Sequence, residues 1–340
     1  MRKLWTVVAF ATIAPAFCAG PASAQKIVWN HNVFGPPRAV TAGIEAVRDV
    51  LQKASGGNFE LKIAYGAALG PERQAPEAIK SGGYEGGQLC GGYYPNKFPL
   101  LTVMELPFLS PASTADNAKV YAKVIRHPLI VKEMADRWGV RYLGPVFLPP
   151  YEFMGNKRIA KVEDMKGVKM RISGLNAKAL QKFGAVPTMV TAPEAYTALE
   201  RGTIDSFGFP YAYTFGAYKI YEVSKYVTEG MALGGFMCFQ GVSIKAYEAL
   251  PASLKAKMDE ADKAAGEALL KAYSDADKKW IPIFKQKLEV TTFPAAERAK
   301  LAAGAGEIWE AWVKEQTAAG RPQARELLNF VKAESAKYQK

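Results

Sequence analysis

The sequence predicts an α/β protein built from two doubly wound units. The chain has 340 residues, and because a domain commonly contains about 150 residues, two domains are expected. Segments typical of strands alternate with segments typical of helices as far as residue 144, and a second alternating run begins after the Pro-, Phe- and Tyr-rich stretch at 145–152. A repeated strand–helix order is typical of a parallel sheet with helices on its faces.

The first run begins with a strand at 26–34 that is rich in β-branched residues and ends at a Gly-Pro-Pro breaker. Residues 38–54 carry apolar side chains at helical spacing and stop at a Gly-Gly pair, so they predict a helix. Residues 59–65 alternate with the period of a half-buried strand. Pro71 is suited to the first turn of the helix that follows.

The second run contains a strand at 168–172 whose apolar residues share one face, while Lys169 and Arg171 point to the other. It continues with a helix at 176–183, a strand at 185–190, a helix at 193–200 and a strand at 203–209. A further strand at 237–244 precedes a helical stretch from 245 to about 289. Pro251 and Pro282 are expected to break or kink that stretch, and residues 295–340 are mostly helical.

Residues 1–24 are predicted to be a cleaved signal peptide. Arg2 and Lys3 precede an apolar run, and the segment closes on Ala22-Ser23-Ala24, a small-x-small cleavage pattern. A membrane anchor needs about 20 apolar residues, and this run is interrupted by Pro15. No later apolar stretch reaches that length, so we expect an exported, soluble protein.

The composition excludes several classes of protein. A 49% content of apolar residues excludes a disordered chain. The formal net charge of +12 could indicate nucleic-acid binding, but the lysines are interleaved with acidic residues along predicted helices and form no cluster with aromatic residues. We therefore expect solvated helix surfaces and no nucleic-acid partner.

Two cysteines, Cys90 and Cys238, remain after removal of the signal peptide. Export permits a disulfide between them. Each lies in an apolar, strand-like segment, however, and we expect two buried thiols rather than a disulfide.

No catalytic or metal-binding motif is present. The sequence lacks G-x-S-x-G, H-E-x-x-H, C-x-x-C and the phosphate-binding G-x-x-x-x-G-K-[ST]. His31 lies at the end of the first strand, where it could face a cleft, and His127 lies in a helix-rich surface region. A strand-end hydrogen bond explains Asp205 more simply than catalysis does. We expect no enzyme, no metal and no cofactor; an exported α/β hydrolase or isomerase that uses His31 and Asp205 is the alternative.

Four further segments share their order and spacing with one known family. They are 55–72, with its Ser-Gly-Gly and Leu-Gly-Pro-Glu, then Leu106-Pro107-Phe108-Leu109, then 164–171 with the sequence DMKGVKMR, and finally 195–205 with the sequence AYTALERGTID. Each segment alone has little specificity. Together, over essentially the whole mature chain, they resemble the DctP-like periplasmic solute-binding proteins of TRAP (tripartite ATP-independent periplasmic) transporters.

The resemblance implies a two-domain periplasmic binding protein fold, with doubly wound sheets, crossing hinge strands and long C-terminal helices. We expect domain I to comprise 25–147 plus 236–275 and domain II to comprise 148–235 plus 276–340, with the ligand cleft between them. The implied function is capture of an organic acid in the periplasm, by a monomer, and delivery to TRAP membrane subunits. The binding component of an ATP-driven importer, or a ligand-sensing partner of a membrane receptor, is the alternative within this class.

The resemblance also makes Arg171 the expected ligand anchor. Arg171 lies near the end of a predicted strand, and ligands of open α/β sheets bind outside the carboxyl ends of strands. A guanidinium can hold a carboxylate through two parallel hydrogen bonds, which a lysine cannot do. A surface charge on a strand is the alternative role.

The sequence departs from two branches of the family at the expected ligand wall. Tyr151 stands where the sialic-acid-binding branch has a second arginine, and Phe209 stands where that branch has an asparagine. Gly208-Phe209 replaces the Glu-Trp pair of a metal-using keto-acid branch, so that metal site is not expected here.

Further rings and one polar group are expected from the other domain, namely Phe34, Tyr93, Tyr94 and His31. Such a pocket favours a monocarboxylate with an apolar or aromatic body, because a second carboxylate would lack a partner. A polar sugar acid or a dicarboxylate is the alternative ligand, and core packing is the alternative role of the tyrosines.

Overall fold

The structure is a computed structural model that describes residues 26–172 and 174–338. The signal peptide predicted at 1–24 lies outside the described residues. None of the helices within the described ranges combines the length and the apolar composition that a membrane span requires.

Strands and helices alternate along the described chain, as predicted. The strands are β1 (Ile27–Asn32), β2 (Phe59–Ala64), β3 (Gly86–Cys90), β4 (Val140–Val146), β5 (Tyr151–Gly155), β6 (Lys169–Arg171), β7 (Val186–Pro187), β8 (Ser206–Pro210), β9 (Tyr226–Glu229), β10 (Cys238–Ser243) and β11 (Glu289–Thr292). The helices are α1 (Ala42–Ala54), α2 (Ala75–Ser81), α3 (Thr114–Val124), α4 (Pro128–Trp138), α5 (Asn176–Gln181), α6 (Ala195–Glu200), α7 (Tyr213–Ala217), α8 (Ile244–Glu248), α9 (Ala252–Lys255), α10 (Met258–Lys287), α11 (Ala295–Ala303), α12 (Ala305–Ala318) and α13 (Ala324–Ala336).

The strands form two mixed sheets. The first has the order β2-β1-β3-β10-β4 and the second the order β11-β9-β5-β8-β6-β7. The predicted α/β class is confirmed, but the expectation of purely parallel sheets is wrong, because β10 runs antiparallel to β3 and β4, and β5 runs antiparallel to β8 and β9. Both strands come directly after the chain has crossed from the other sheet, and they therefore run against their neighbours.

The chain passes between the two sheets along three segments. The crossings are 147–150, 230–237 and α10. The first half of α10 packs on α1, and Trp280 near its end lies against α7, so this helix spans both sheets. The domain boundaries inside these crossing segments remain a prediction.

The C-terminal helices contact both halves of the molecule. We call the half of the molecule that contains the first sheet the first side, and the half that contains the second sheet the second side. Trp312 of α12 is buried, and its indole Nε1 donates a hydrogen bond of 2.9 Å to Thr102 Oγ1 on the first side. Helix α13 packs against α3, whereas α12 also touches α5 on the second side. The long C-terminal helices thus hold the outer surfaces of the two sheets together.

A break or a kink was expected at Pro251 and at Pro282. The helical stretch breaks near Pro251 and does not break at Pro282, which lies inside α10. A proline inside a helix costs about 3 kcal/mol, and burial of Phe284 and stacking of Trp280 on it hold the last turns in place. The strand predicted at 185–190 is reduced to β7, because the carbonyl oxygen of Val190 accepts a hydrogen bond from the Arg171 side chain instead of a strand partner.

Cys90 and Cys238 form a disulfide, so the expectation of two free thiols was wrong. The two residues lie directly opposite each other in the antiparallel pair of β3 and β10, with their Cα atoms 4.0 Å apart. The pairing of these two strands depends on the crossing at 230–237, which the local sequence around each cysteine does not reveal.

We predict that replacing both Cys90 and Cys238 with alanine lowers the free energy of unfolding by about 2–4 kcal/mol, because the disulfide closes a long loop in the unfolded chain. Thermal unfolding followed by circular dichroism, with and without a reductant, measures this difference. The reductant should lower the melting temperature of the wild type to that of the variant and leave the variant unchanged. A wild-type protein that titrates two free thiols and ignores the reductant would contradict the prediction.

Candidate functional site

The two sheets meet at a small cavity of about 30 Å³. Strands β1, β3 and β8 end beside this cavity, which is lined by Phe34 after β1, Tyr93 after β3, and Phe209 near the end of β8. The antiparallel strands β5 and β10 begin there, with Tyr151 and Cys238. The cavity therefore lies outside the carboxyl ends of the parallel strands, which is where open α/β sheets bind ligands.

Aromatic rings form a large part of the cavity wall. Its rings come from both sheets and are Phe34, Tyr93, Tyr151, Phe209, Tyr213, Tyr218 and Phe236. Tyr93 lies edge-on to Phe34 and Phe236, with centroid distances of 5.4 and 5.3 Å. Phe209 and Tyr218 stack with 26° between their planes. Pocket walls of this kind are suited to an apolar ligand body.

Four of the predicted site residues, Phe34, Tyr93, Tyr151 and Phe209, come together in this wall. The structure does not bring Tyr94 to the cavity lining. The Tyr94 hydroxyl accepts a hydrogen bond of 2.7 Å from the Cys90 amide, and its ring packs on Phe98 in the core of the first side.

His31 is not part of the cavity lining either. It is 1% exposed within the first sheet, where one ring nitrogen, Nε2, lies 2.8 Å from Gln240 Oε1. Burial lowers the pKa of His31 to about 4, an effect that the Gln240 hydrogen bond opposes in part. The imidazole is therefore neutral at physiological pH and serves the packing of β1 against β3 and β10.

Arg171 lies directly behind the aromatic wall, at the carboxyl end of β6. Its side chain is 1% exposed, and its guanidinium carbon lies 4.4 Å from the centroid of the Phe209 ring. Nε donates a hydrogen bond of 2.9 Å to the carbonyl oxygen of Val190, and Nη1 donates one of 3.2 Å to that of Gly208. These bonds fix the plane of the guanidinium and occupy two of its five N–H donors.

The positive charge of Arg171 has no carboxylate partner within ion-pair distance in the described ranges. Glu194 is near enough for the Arg171 charge to contribute to lowering its pKa, but the main cause is hydrogen bonding to Thr191. The Glu194 carboxylate accepts bonds of 2.7 and 2.8 Å from the Thr191 amide and hydroxyl. Arg171 is therefore a buried cation without a direct counterion among these residues.

The charge of Arg171 acts on the hydroxyl groups that line the cavity. Burial raises the pKa of Tyr93 and of Tyr151, and the neighbouring Arg171 guanidinium lowers both pKa values in part. Negative charge introduced at this point of the cavity would be stabilised by the same guanidinium.

Arg38 is a lining residue that the sequence reasoning missed. It follows the Gly35-Pro36-Pro37 breaker after β1, and its position just past a strand end was the available signal. Arg38 also bears on the expectation that a second carboxylate would lack a partner, because it adds a second guanidinium to the cavity. None of the residues that line the cavity is acidic.

Three buried polar atoms of cavity-lining residues have no hydrogen-bond partner among the residues that the structure describes. They are Gln88 Oε1, Thr214 Oγ1 and the Tyr218 hydroxyl. Buried polar groups in proteins are almost always paired, so these atoms are suited to polar groups of a bound molecule.

The hydrolase alternative uses His31 and Asp205, and both make structural contacts. Asp205 accepts a hydrogen bond of 2.9 Å from the Lys169 amide at the start of β6, and His31 is buried beside Gln240. The other histidine, His127, caps α4 by accepting a hydrogen bond from the Leu129 amide. Across the part of the chain that the structure describes, no group of three His, Cys, Asp or Glu residues is arranged to hold a metal.

Curated relatives of the chain include solute-binding proteins. A solute-binding protein of Verminephrobacter eiseniae is 29% identical over 191 residues, which cover 54% of this chain and 55% of that protein. The chain therefore aligns with about half the length of this relative.

Solved structures with the same fold cover most of the chain. A TRAP periplasmic solute-binding protein from Desulfovibrio salexigens with bound orotic acid superimposes with a TM-score of 0.81 at 23% identity, covering 92% of this chain and 100% of the other. One from Rhodoferax ferrireducens in complex with copurified benzoate gives 0.80 at 24% identity, covering 92% and 98%. One from a Sulfitobacter species with bound galacturonate gives 0.78 at 19% identity, covering 90% and 99%. At sequence identities this low, the superpositions show a common fold and nothing more.

A family profile covers most of the chain. The profile of the bacterial extracellular solute-binding proteins, family 7 (DctP), matches residues 30–316. The chain therefore belongs to the bacterial extracellular solute-binding proteins of family 7, the DctP family.

Proposed function

We propose that this protein captures an organic acid in the periplasm and delivers it to the membrane subunits of a TRAP transporter. Arg171 holds the carboxylate of the ligand, and the aromatic wall around Tyr93, Tyr151 and Phe209 encloses its body. The predicted signal peptide and the extracellular character of the family support this location.

One observation carries this proposal. Among the described residues, the buried Arg171 guanidinium has no counterion, and the described residues that line the neighbouring cavity include no acidic side chain. An unpaired buried charge is costly. A ligand carboxylate supplies the missing negative charge through charge-assisted hydrogen bonds, which contribute about 1.5–3 kcal/mol each. A neutral ligand would leave this cost in place.

The aromatic wall supports a carboxylate with an apolar or aromatic body. Burial of apolar surface contributes about 25 cal/mol per Å², and the edge-on and stacked rings of the wall leave flat surfaces for a planar ligand. Benzoate and orotate in structures of the same fold are planar acids. Galacturonate in another makes a polar sugar acid the alternative ligand.

Domain closure is part of the proposed mechanism. A cavity of about 30 Å³ is far smaller than the several hundred Å³ that is typical of a ligand pocket, so an aromatic acid needs the two sheets to separate. The candidate hinge consists of the crossing segments 147–150 and 230–237 and of helix α10. A ligand that touches both sheets stabilises the closed form by its higher affinity for that form, which is the form that membrane subunits would select.

The predicted ligand class can be tested by thermal shift. Benzoate and orotate should raise the melting temperature, because a ligand at 100 times its Kd stabilises the folded state by about 2.7 kcal/mol. Galacturonate and succinate, at the same concentrations, serve as the polar comparison. Stabilisation by galacturonate or succinate alone would overturn the proposed aromatic body and favour the sugar-acid or dicarboxylate alternative.

The role of Arg171 can be tested by substitution. Arg171→Ala and Arg171→Met should weaken the binding of benzoate at least about tenfold, and Arg171→Lys should not restore it, because a lysine lacks the planar fork. Isothermal titration calorimetry measures the affinities, and circular dichroism checks that each variant is folded.

Arg325→Ala is the matched control for net charge, since Arg325 is an exposed residue of α13 paired with Glu310. This control should bind benzoate as the wild type does. A folded Arg171→Met protein with wild-type affinity would refute the assignment of Arg171 as the anchor.

A further inference from the structure

We propose that Arg38 is a second ligand-binding cation, which together with the Tyr218 hydroxyl holds an anionic oxygen on the part of the ligand away from its first carboxylate. This inference rests on the proposed function, since it assumes that Arg171 holds the first carboxylate. It adds a determinant of specificity contributed by the first side of the cleft.

The Arg38 guanidinium is held at the boundary between the two sides. Its Nη1 donates a hydrogen bond of 2.8 Å to the carbonyl oxygen of Pro36. Its central carbon lies 5.2 Å from the centroid of Phe34, on the first side, and 5.6 Å from that of Tyr218, on the second. Cation–π contacts with rings from both sides orient the charge toward the cavity that these rings line.

The Tyr218 hydroxyl converges on the same place as Arg38. A Cβ atom added to Gly35 would lie 2.1 Å from Tyr218 Oη and 3.0 Å from Arg38 Nη1, so both groups lie against this glycine. The backbone of Gly35 has φ +74°, a conformation that favours glycine. The Tyr218 hydroxyl has no hydrogen-bond partner, and it can donate to an oxygen that also faces Arg38.

The charges around this point favour an anion. Arg38 forms no ion pair within the ranges that the structure covers. Burial raises the pKa of Tyr218 to about 12, and the charges of Arg38 and Arg171 both act to lower it. Two guanidiniums thus act on one hydroxyl at a cavity without acidic lining.

Arg38 therefore discriminates between two classes of ligand that Arg171 alone would bind with similar affinity. An aromatic ring with one carboxylate forms an ion pair only with Arg171. A ring with a second carboxylate forms ion pairs with both Arg171 and Arg38. Because the first group sits on one side of the cleft and the second on the other, the second interaction also favours closure.

The test compares benzoate with isophthalate and terephthalate, which place a second carboxylate at two different distances across the ring. Calorimetric titrations use the full mature protein and its Arg38→Ala, Arg38→Lys, Tyr218→Phe and Arg325→Ala variants. For the wild type and Arg325→Ala, we expect at least one of the two dicarboxylates to bind about tenfold or more tightly than benzoate.

Arg38→Ala should abolish this preference, because it should weaken dicarboxylate binding about tenfold more than it weakens benzoate binding. Arg38→Lys should retain part of the preference, and Tyr218→Phe should reduce it. An equal loss of affinity for all three acids in Arg38→Ala would assign Arg38 to packing or closure and overturn the inference. Equal binding of the three acids by the wild type would also overturn it. If the wild type binds none of them, the proposed function itself fails, and the inference fails with it.

Discussion

The proposed binding site depends on one constraint, a buried guanidinium that has no counterion in the described part of the chain. Arg171 is held in its plane by bonds to the carbonyl oxygens of Val190 and Gly208 and by the ring of Phe209. The neutral carbonyl groups fix its position and leave its charge uncompensated. An anion that binds at this point of the cleft would therefore stabilise the buried charge of Arg171. In the proposed function, the aromatic wall determines which anionic molecule fits.

The fold forms this candidate site through two of its three crossings, 147–150 and 230–237. Because β5 and β10 each enter a sheet from the opposite side, they begin at the cleft where the parallel strands end. Tyr151 and Cys238 thereby reach the cavity from strand starts, while Phe34, Tyr93 and Phe209 reach it from strand ends. The same crossings place the disulfide, which fixes β10 to β3 at the cavity wall. The candidate binding site and the candidate hinge therefore use the same segments.

Some of this site was predictable from the sequence and some was not. Arg171 and Phe209 follow from strand segments whose ends are visible in the local pattern, and the family motifs fix their order. The role of Arg38 depends on its approach to Tyr218, and the disulfide depends on the pairing of β3 with β10; both are contacts between distant segments. His31 and Tyr94 failed as cavity residues because a residue near a strand end can turn either to the cleft or into the core, and the local pattern does not decide between the two.

The most direct test of the central claim is a crystal structure of the protein with the acid that copurifies with it. The account predicts that a carboxylate of this acid lies about 2.7–2.9 Å from the guanidinium nitrogens of Arg171, between the two sheets. A ligand whose carboxylate binds elsewhere, with Arg171 bonded only to protein groups, would contradict it.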